Sequence, residues 1–97
     1  MHGADRVWRH RGIAERRRLA IAYANEDGTL TQRTIRPLGL YFWGKVWTLA
    51  AWCELRTDFR SFRLDRITEP SLTEPFTDEP DKTLDVFLAR MRAEARR

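Results

Sequence analysis

Residues 19–28 constrain this chain more than any other stretch. Leu19, Ile21 and Tyr23 alternate with Ala20, Ala22 and Ala24, and Asn25-Glu26-Asp27-Gly28 follows at once. Alternation with period two is the pattern of a strand. An Asp-Gly pair after such a run predicts a tight turn, so residues 30–36 return antiparallel to the first strand. The alanines on the second face leave room for a helix or another subunit to approach. With 97 residues in all, one small domain is the expected organisation. A domain of that size buries only about 60–65% of its unfolded surface, so a simple fold that leans on a partner is expected.

The remaining segments extend this hairpin into a small β domain with a helix at each end. Residues 5–17 read as a helix opening at Asp5, a good N-cap residue, although Gly12 costs about 1 kcal/mol relative to alanine. Pro37 interrupts the second strand, and Leu38-Gly39-Leu40 should bend or bulge before the aromatic run Tyr41-Phe42-Trp43. Gly44-Lys45 marks a second turn. Beyond it Trp47, Leu49, Ala51 and Cys53 share one face and read as core, with Thr48, Ala50, Trp52 and Glu54 on the other. Arg56-Thr57-Asp58 makes a third turn, and residues 59–67 form the next strand. Pro70, Pro75 and Pro80 punctuate an acidic, extended connection. Thr83 then caps a helix whose apolar stripe is Leu84, Phe87, Leu88 and Met91, with Arg90, Arg92, Arg96 and Arg97 near the end where the helix dipole favours cations. The fold class this implies is mainly β: four to five short antiparallel strands in a small, bent, partly open barrel with flanking helices. Residues 5–70 form the domain with its leading helix, and residues 71–97 form an acidic linker and a C-terminal amphipathic helix.

Charge is arranged in blocks. The chain carries 18 Lys+Arg against 14 Asp+Glu, net +4, and Lys45 and Lys82 are its only lysines. Arginine favours planar, bidentate contacts to phosphate or carboxylate over diffuse attraction. Residues 33–66 hold Arg33, Arg36, Lys45, Arg56, Arg60, Arg63 and Arg66 against three acids. Residues 67–85 reverse the sign, with six acids against Lys82. A basic centre followed by an acidic tail fits a ligand surface with its own screening segment, and equally two solvated faces.

From residue 13 to residue 67 the chain resembles a known family. The matching blocks are Glu15-Arg16-Arg17-Arg18-Leu19, Arg36-Pro37-Leu38-Gly39-Leu40, Trp47-Thr48-Leu49-Ala50-Ala51-Trp52-Cys53 and Arg60-Ser61-Phe62-Arg63-Leu64-Asp65-Arg66-Ile67. They resemble the WYL domain of bacterial transcriptional regulators, over roughly residues 10–70. The resemblance implies an Sm-like, SH3-type barrel acting as a ligand-sensing module, associated with dimeric regulators and with an N-terminal winged helix-turn-helix. It further implies a nucleotide-type or single-stranded nucleic-acid effector, bound by the basic strand and the middle residue of the motif. Here that residue is Thr48 where the family's name-giving tyrosine is expected, which removes an aromatic ring from the ligand face. No DNA-binding half is expected within a chain of this length, so it reads as an excised effector domain or a stand-alone version, with a helix-turn-helix domain in the same or a partner chain.

Arg56, Arg60, Arg63 and Arg66 are the first candidates for the ligand site, where guanidiniums on adjoining strands would clamp successive phosphates. Their bland alternative is a solvated face paired with Asp58 and Asp65. In a regular strand Arg60 and Arg66 share a face with Phe62 and Leu64 while Arg63 points away. Unless a bulge or barrel corner intervenes, at most two of these three face one ligand. Arg33 and Arg36 also have opposite parity, so one of them joins the site. Thr48 offers a hydroxyl to a phosphate or base edge, or is a plain strand threonine. Trp52 stacks on a base or packs under a flanking helix. Trp47, Leu49 and Phe62 are assigned to the core.

Cys53 reads as a buried structural thiol. A single cysteine excludes a disulfide framework, and neither His2 nor His10 has metal-ligand spacing, so no metal or other cofactor is expected. No glycine-rich phosphate loop, nucleophile elbow or paired-carboxylate site is visible, so a non-enzymatic role is expected. No run approaches the roughly 20 apolar residues of a membrane span, and the first residues lack a signal-type apolar segment. These readings give a cytoplasmic regulatory domain with a homodimeric tendency. The alternative is a dimerisation or docking module whose arginines pair with an acidic partner, such as the −5 segment of a second copy.

Overall fold

The computed structural model describes residues 7–96 of the chain. Its elements are α1 (Val7–Glu15), β1 (Arg17–Ala24), β2 (Leu30–Trp43), β3 (Val46–Cys53), β4 (Asp58–Arg63), a 3-10 turn (Leu64–Arg66), β5 (Ile67–Pro75) and α2 (Leu84–Ala95). The five strands form one antiparallel sheet in the order β4-β3-β2-β1-β5. The Asn25–Gly28 turn closes the first hairpin, with Gly28 at φ +88° and its N–H donating to Asn25 O. Pro37 sits at a register shift between Pro37 and Gly39, a bulge that excuses the missing N–H in a central strand.

The sheet is strongly curved, and the chain length of one link requires it. β4 and β5 lie on opposite edges, yet only Leu64–Arg66 joins them. Four inter-strand steps in a flat sheet would separate the edges by about 19 Å. The link from Arg63 to Ile67 reaches at most about 14 Å even when extended. The sheet therefore curls until its edges approach, without closing into a hydrogen-bonded barrel.

The concave face holds the core: Leu19, Ile21 and Tyr23 from β1, Ile35 from β2, Leu49, Ala51 and Cys53 from β3, and Phe62 from β4. Tyr23 packs edge-on against Phe62 at 5.0 Å between centroids. Trp8 and Ile13 of α1 pack against this cluster. Gly12, the weak point of the helix by propensity, is buried at that contact. A Cβ built there would lie 2.9 Å from Pro37 Cγ, so glycine lets the helix approach β2.

The outer face is covered by α2 and the segment before it. Thr83 caps α2, its hydroxyl accepting from Val86 N–H. Phe87 packs between Tyr41 and Phe59, with centroids at 6.3 and 5.6 Å, and Leu84 fills the space left by Gly39. Upstream, Phe76 is buried under the Arg36 guanidinium. Arg16 pairs with Asp78 at 2.7 Å and Lys82 with Glu79 at 3.0 Å, while Arg36 bridges Glu54 and Glu79.

Several expectations are corrected. The helix ends at Glu15 instead of residue 17, and the cap at Asp5 lies outside the described residues. Residues 59–67 are not one strand, because the 3-10 turn breaks them. The linker assigned to start at residue 71 begins inside β5, so the boundary between residues 70 and 71 falls within a strand that pairs Ser71 with Ala20 and Leu72 with Leu19. The prolines suggested otherwise, but β5 is an edge strand, where a missing N–H disturbs no ladder. The acids of residues 69–85 are not all solvated, since Asp78 and Glu79 tie the segment to the sheet. Trp47 lies on the core-facing register yet is 53% exposed. β1 reaches along β2 only to Ile35, and β4 reaches along β3 only to Thr48, so the hairpin tip projects past the core.

Two expectations follow from this packing. Helix propensity alone would make Gly12→Ala stabilising by about 1 kcal/mol; the contact with a rigid proline ring makes it destabilising by about 1–2 kcal/mol, measurable by urea titration. Burial pushes the Glu54 carboxyl up, but hydrogen bonds from Arg18 and Arg36 outweigh it and leave it below the ordinary range. Hydrogen bonds from Arg36 and Lys82 hold Glu79 low as well. Depressed folded values mean that the unfolded chain takes up protons first on acidification. This stabilisation is complete above the ordinary glutamate value of about 4.3 and is lost as pH falls through the depressed values. Thermal melts should show a drop below that pH that is smaller in Glu79→Gln.

Candidate functional site

The corner where β4 gives way to β5 gathers three arginines. Arg63 ends β4, and Arg66 ends the 3-10 turn that follows. The 3-10 turn breaks the strand alternation after Arg63, and Arg63 and Arg66 line the same depression although strand parity would separate them. Arg60 faces the core side of β4, its guanidinium 5.8 Å from the Phe62 ring centroid. Because β4 is an edge strand, all three reach one open depression of about 600 Å³. Tyr23 and Ser61 complete its floor, and Asn25, Glu26 and Asp27 of the first turn form a rim.

The corner is fixed from below. Tyr23, the last large side chain of β1, accepts a hydrogen bond from Arg63 N–H at 3.1 Å through its hydroxyl. Arg63 in turn clamps Asp65 with two hydrogen bonds, 3.1 and 2.7 Å. That contact holds the Asp65 carboxyl below its ordinary range and raises Arg63 further. Asp27 is kept low by the backbone N–H of Thr29, which it accepts within its own turn at 2.9 Å. Among the described residues Arg60 and Arg66 have no carboxylate within ion-pair distance. The depression thus presents two guanidiniums outside any ion pair and a third shared with Asp65, with the carboxylates of Glu26 and Asp27 confined to its rim, an arrangement that can take an anion between the arginines.

The other sequence candidates lie elsewhere. Arg33 is 5% exposed on the core side, its Nε donating to Thr31 Oγ1 at 3.2 Å and its Nη1 lying 3.9 Å from Cys53 Sγ. Arg36 is on the outer face, as its opposite parity required. Burial pulls it down, but the hydrogen bonds to Glu79 and Glu54 outweigh this and leave it raised. Thr48 is buried on the outer face, between Tyr41 and Arg63 in the register. Trp52 packs edge-on against Phe59 at 5.2 Å, with Lys82 Nζ 5.0 Å from its ring centroid, which is the packing role under the C-terminal segment. Arg56 is exposed in the β3–β4 turn and does not line the depression. Tyr23, Glu26 and Ser61 were missed by sequence reasoning. Only Tyr23 carried a signal, as an aromatic at the last inward position before the turn.

The domain is mainly β, one curled, unclosed sheet of five antiparallel strands with a helix before it and a helix after it, and three arginines at one corner. The chain belongs to the WYL domain family, which it matches over residues 10–72. That span contains the whole depression. Among solved structures it is similar to proteasome accessory factor B/C (PafBC) of Arthrobacter aurescens, with a TM-score of 0.66 and 25% identity over 80% of this chain. The chain spans 14% of that protein's length.

Separating tied from free arginines yields a paired expectation. Arg36→Ala removes charge-assisted hydrogen bonds from a mostly buried position and should lower stability by about 1–3 kcal/mol, while anion affinity at the corner stays unchanged. Arg66→Ala should leave the melting temperature within experimental error and weaken that affinity. Thermal melts alongside isothermal titration of each variant test the division.

Proposed function

We propose that this chain is the effector-binding domain of a cytoplasmic bacterial transcriptional regulator and that it takes a phosphate-bearing, nucleotide-type or single-stranded nucleic-acid ligand at the β4–β5 corner. One observation carries the reading: Arg60, Arg63 and Arg66 line one depression, and among the described residues Arg60 and Arg66 have no carboxylate within ion-pair distance. Ligand contact there bears on the single link that sets the curl of the sheet. Occupancy would therefore bias how a linked or partner helix-turn-helix domain is arranged, through its different affinity for the two arrangements. The reading is one of binding: beside its guanidiniums the depression offers a phenol, a hydroxyl and the carboxylates of Glu26 and Asp27 on its rim, a set suited to holding an anion more than to acid–base chemistry.

The alternative is a docking module in which the arginines meet the acidic segment of a second copy. Asp78 and Glu79 of that segment are occupied by Arg16, Arg36 and Lys82 within the same chain, which disfavours that version. A homodimer formed through another surface remains compatible with ligand sensing.

Titration of short single-stranded DNA, single-stranded RNA and cyclic nucleotides at two salt concentrations tests the proposal. Three phosphate contacts on a single strand give a log–log salt slope of about −2, or a loss of about 16-fold between 50 and 200 mM salt. The triple variant Arg60→Ala, Arg63→Ala, Arg66→Ala should abolish binding while remaining folded by circular dichroism. Failure of every probe to bind in a salt-sensitive way would overturn the nucleotide reading. Loss of a dimer on charge reversal of the three arginines, seen by sedimentation, would favour docking.

A further inference from the structure

β4 is an edge strand, bonded to β3 on one side only. In an antiparallel pair, residues of one parity exchange both backbone bonds with the neighbouring strand, and those of the other parity turn their N–H and C=O groups outward. Two contacts fix which is which. Phe59 N–H donates to Asp58 Oδ1 at 2.8 Å, and Arg63 N–H donates to the Tyr23 hydroxyl at 3.1 Å. The ladder therefore runs through Asp58, Arg60 and Phe62, opposite Cys53, Ala51 and Leu49, and Phe59, Ser61 and Arg63 face outward. The first and last of these three donors are closed by the contacts just named. Ser61 N–H, between them, has no acceptor among the described residues. Open edges invite strand pairing, and proteins blunt them. Here the blunting stops at one exposed residue, and that residue lines the arginine depression.

We infer that the backbone N–H of Ser61 is a ligand-binding donor, taking one oxygen of an oxyanion directly on the edge of β4. This rests on the anion-binding corner proposed above and adds a contact of a different kind to it. The side chain of Ser61 is engaged elsewhere, since its hydroxyl exchanges a hydrogen bond with Tyr41 Oη at 2.7 Å. The Ser61 carbonyl shares the edge but belongs to the next peptide, toward Phe62, so the oxygen is placed on the Arg60 side of Ser61. An added peptide strand is a poor occupant, because strand addition uses every second residue of an edge and the donors on both sides of Ser61 are closed. A single compact oxyanion needs only the one opening. The contact also differs physically from the guanidiniums beside it. Attraction to an exposed cation is screened by salt, whereas a neutral donor in direct contact is not. The ladder bonds of Arg60 and Phe62 hold the N–H in place, so it fixes where the oxyanion sits while the arginines supply the charge.

Calorimetric titration of inorganic pyrophosphate into the full chain, with amide NMR of the same samples, tests the inference. Ser61→Pro removes the N–H at an outward position of an edge strand, where its loss leaves the ladder intact. Ser61→Ala lacks the same hydroxyl but keeps the N–H, and serves as the reference. The proline variant should bind pyrophosphate at least about tenfold more weakly than the alanine variant, by the same ratio at low and high salt. The loss in Arg66→Ala should instead shrink as salt rises. In the wild-type chain the Ser61 amide proton should move downfield on saturation, further than those of Phe59 and Arg63. That measurement decides the matter by itself if the proline variant does not fold. Equal affinity of the two folded variants, or a Ser61 shift no larger than its neighbours', overturns the backbone contact and leaves the arginine corner standing. Failure of the wild-type chain to bind pyrophosphate overturns the corner and the contact together.

Discussion

Three residues between β4 and β5 govern both the shape and the chemistry of this domain. Leu64–Arg66 joins opposite edges of the sheet, and so short a link is incompatible with a flat arrangement. The curl that it imposes closes the concave face over Leu19, Ile21, Leu49 and Phe62. The same tight turn cancels the strand alternation between Arg63 and Arg66. A single hydrogen bond from Arg63 N–H to the Tyr23 hydroxyl anchors the corner to β1, so fold and site share one support.

The arginines then divide into two populations with different work. Arg16, Arg18 and Arg36 face acids from the β3–β4 turn and the segment before α2, and their charge is spent holding that segment and its helix to the outer face. Partial burial sharpens these contacts, since hydrogen bonds there outweigh the cost of removing the groups from water. Arg60 and Arg66 have no such partner among the described residues, and both line the depression at the β4–β5 corner, with Arg60 also bordering α2. Two of the cations left without an ion-pair partner thus meet at one corner, beside Arg63.

The hairpins were legible because their determinants are local. Alternation at residues 19–24, the Asp-Gly turn, Gly44-Lys45 and the Thr83 cap each act within a few residues, and each stands where expected. Pro37 and Gly39 marked the bulge for the same reason. The exposure of Trp47 was not legible, since alternation assigns a side chain to a face without saying how far neighbouring strands extend beside it. β5 was hidden because its prolines argue against a central strand, and edge position is a property of the assembled sheet. At the site, Arg60, Arg63 and Arg66 were named from the sequence, but their convergence, and the parts played by Tyr23, Ser61 and Glu26, depend on the β1–β2 turn meeting a strand about forty residues later in the chain. Arg33 and Arg36 were named too, and the core and the acidic segment take them instead.

By itself the sequence determined which residues make strands and turns, which family the chain resembles and where its positive charge is concentrated, because propensity, periodicity and charge are carried by neighbouring residues. Which of those charges remain free was decided only by the tertiary structure. Free charge is what is left after long-range ion pairs form, and those pairs exist only once the curled sheet has brought distant strands, the acidic segment and the second helix together.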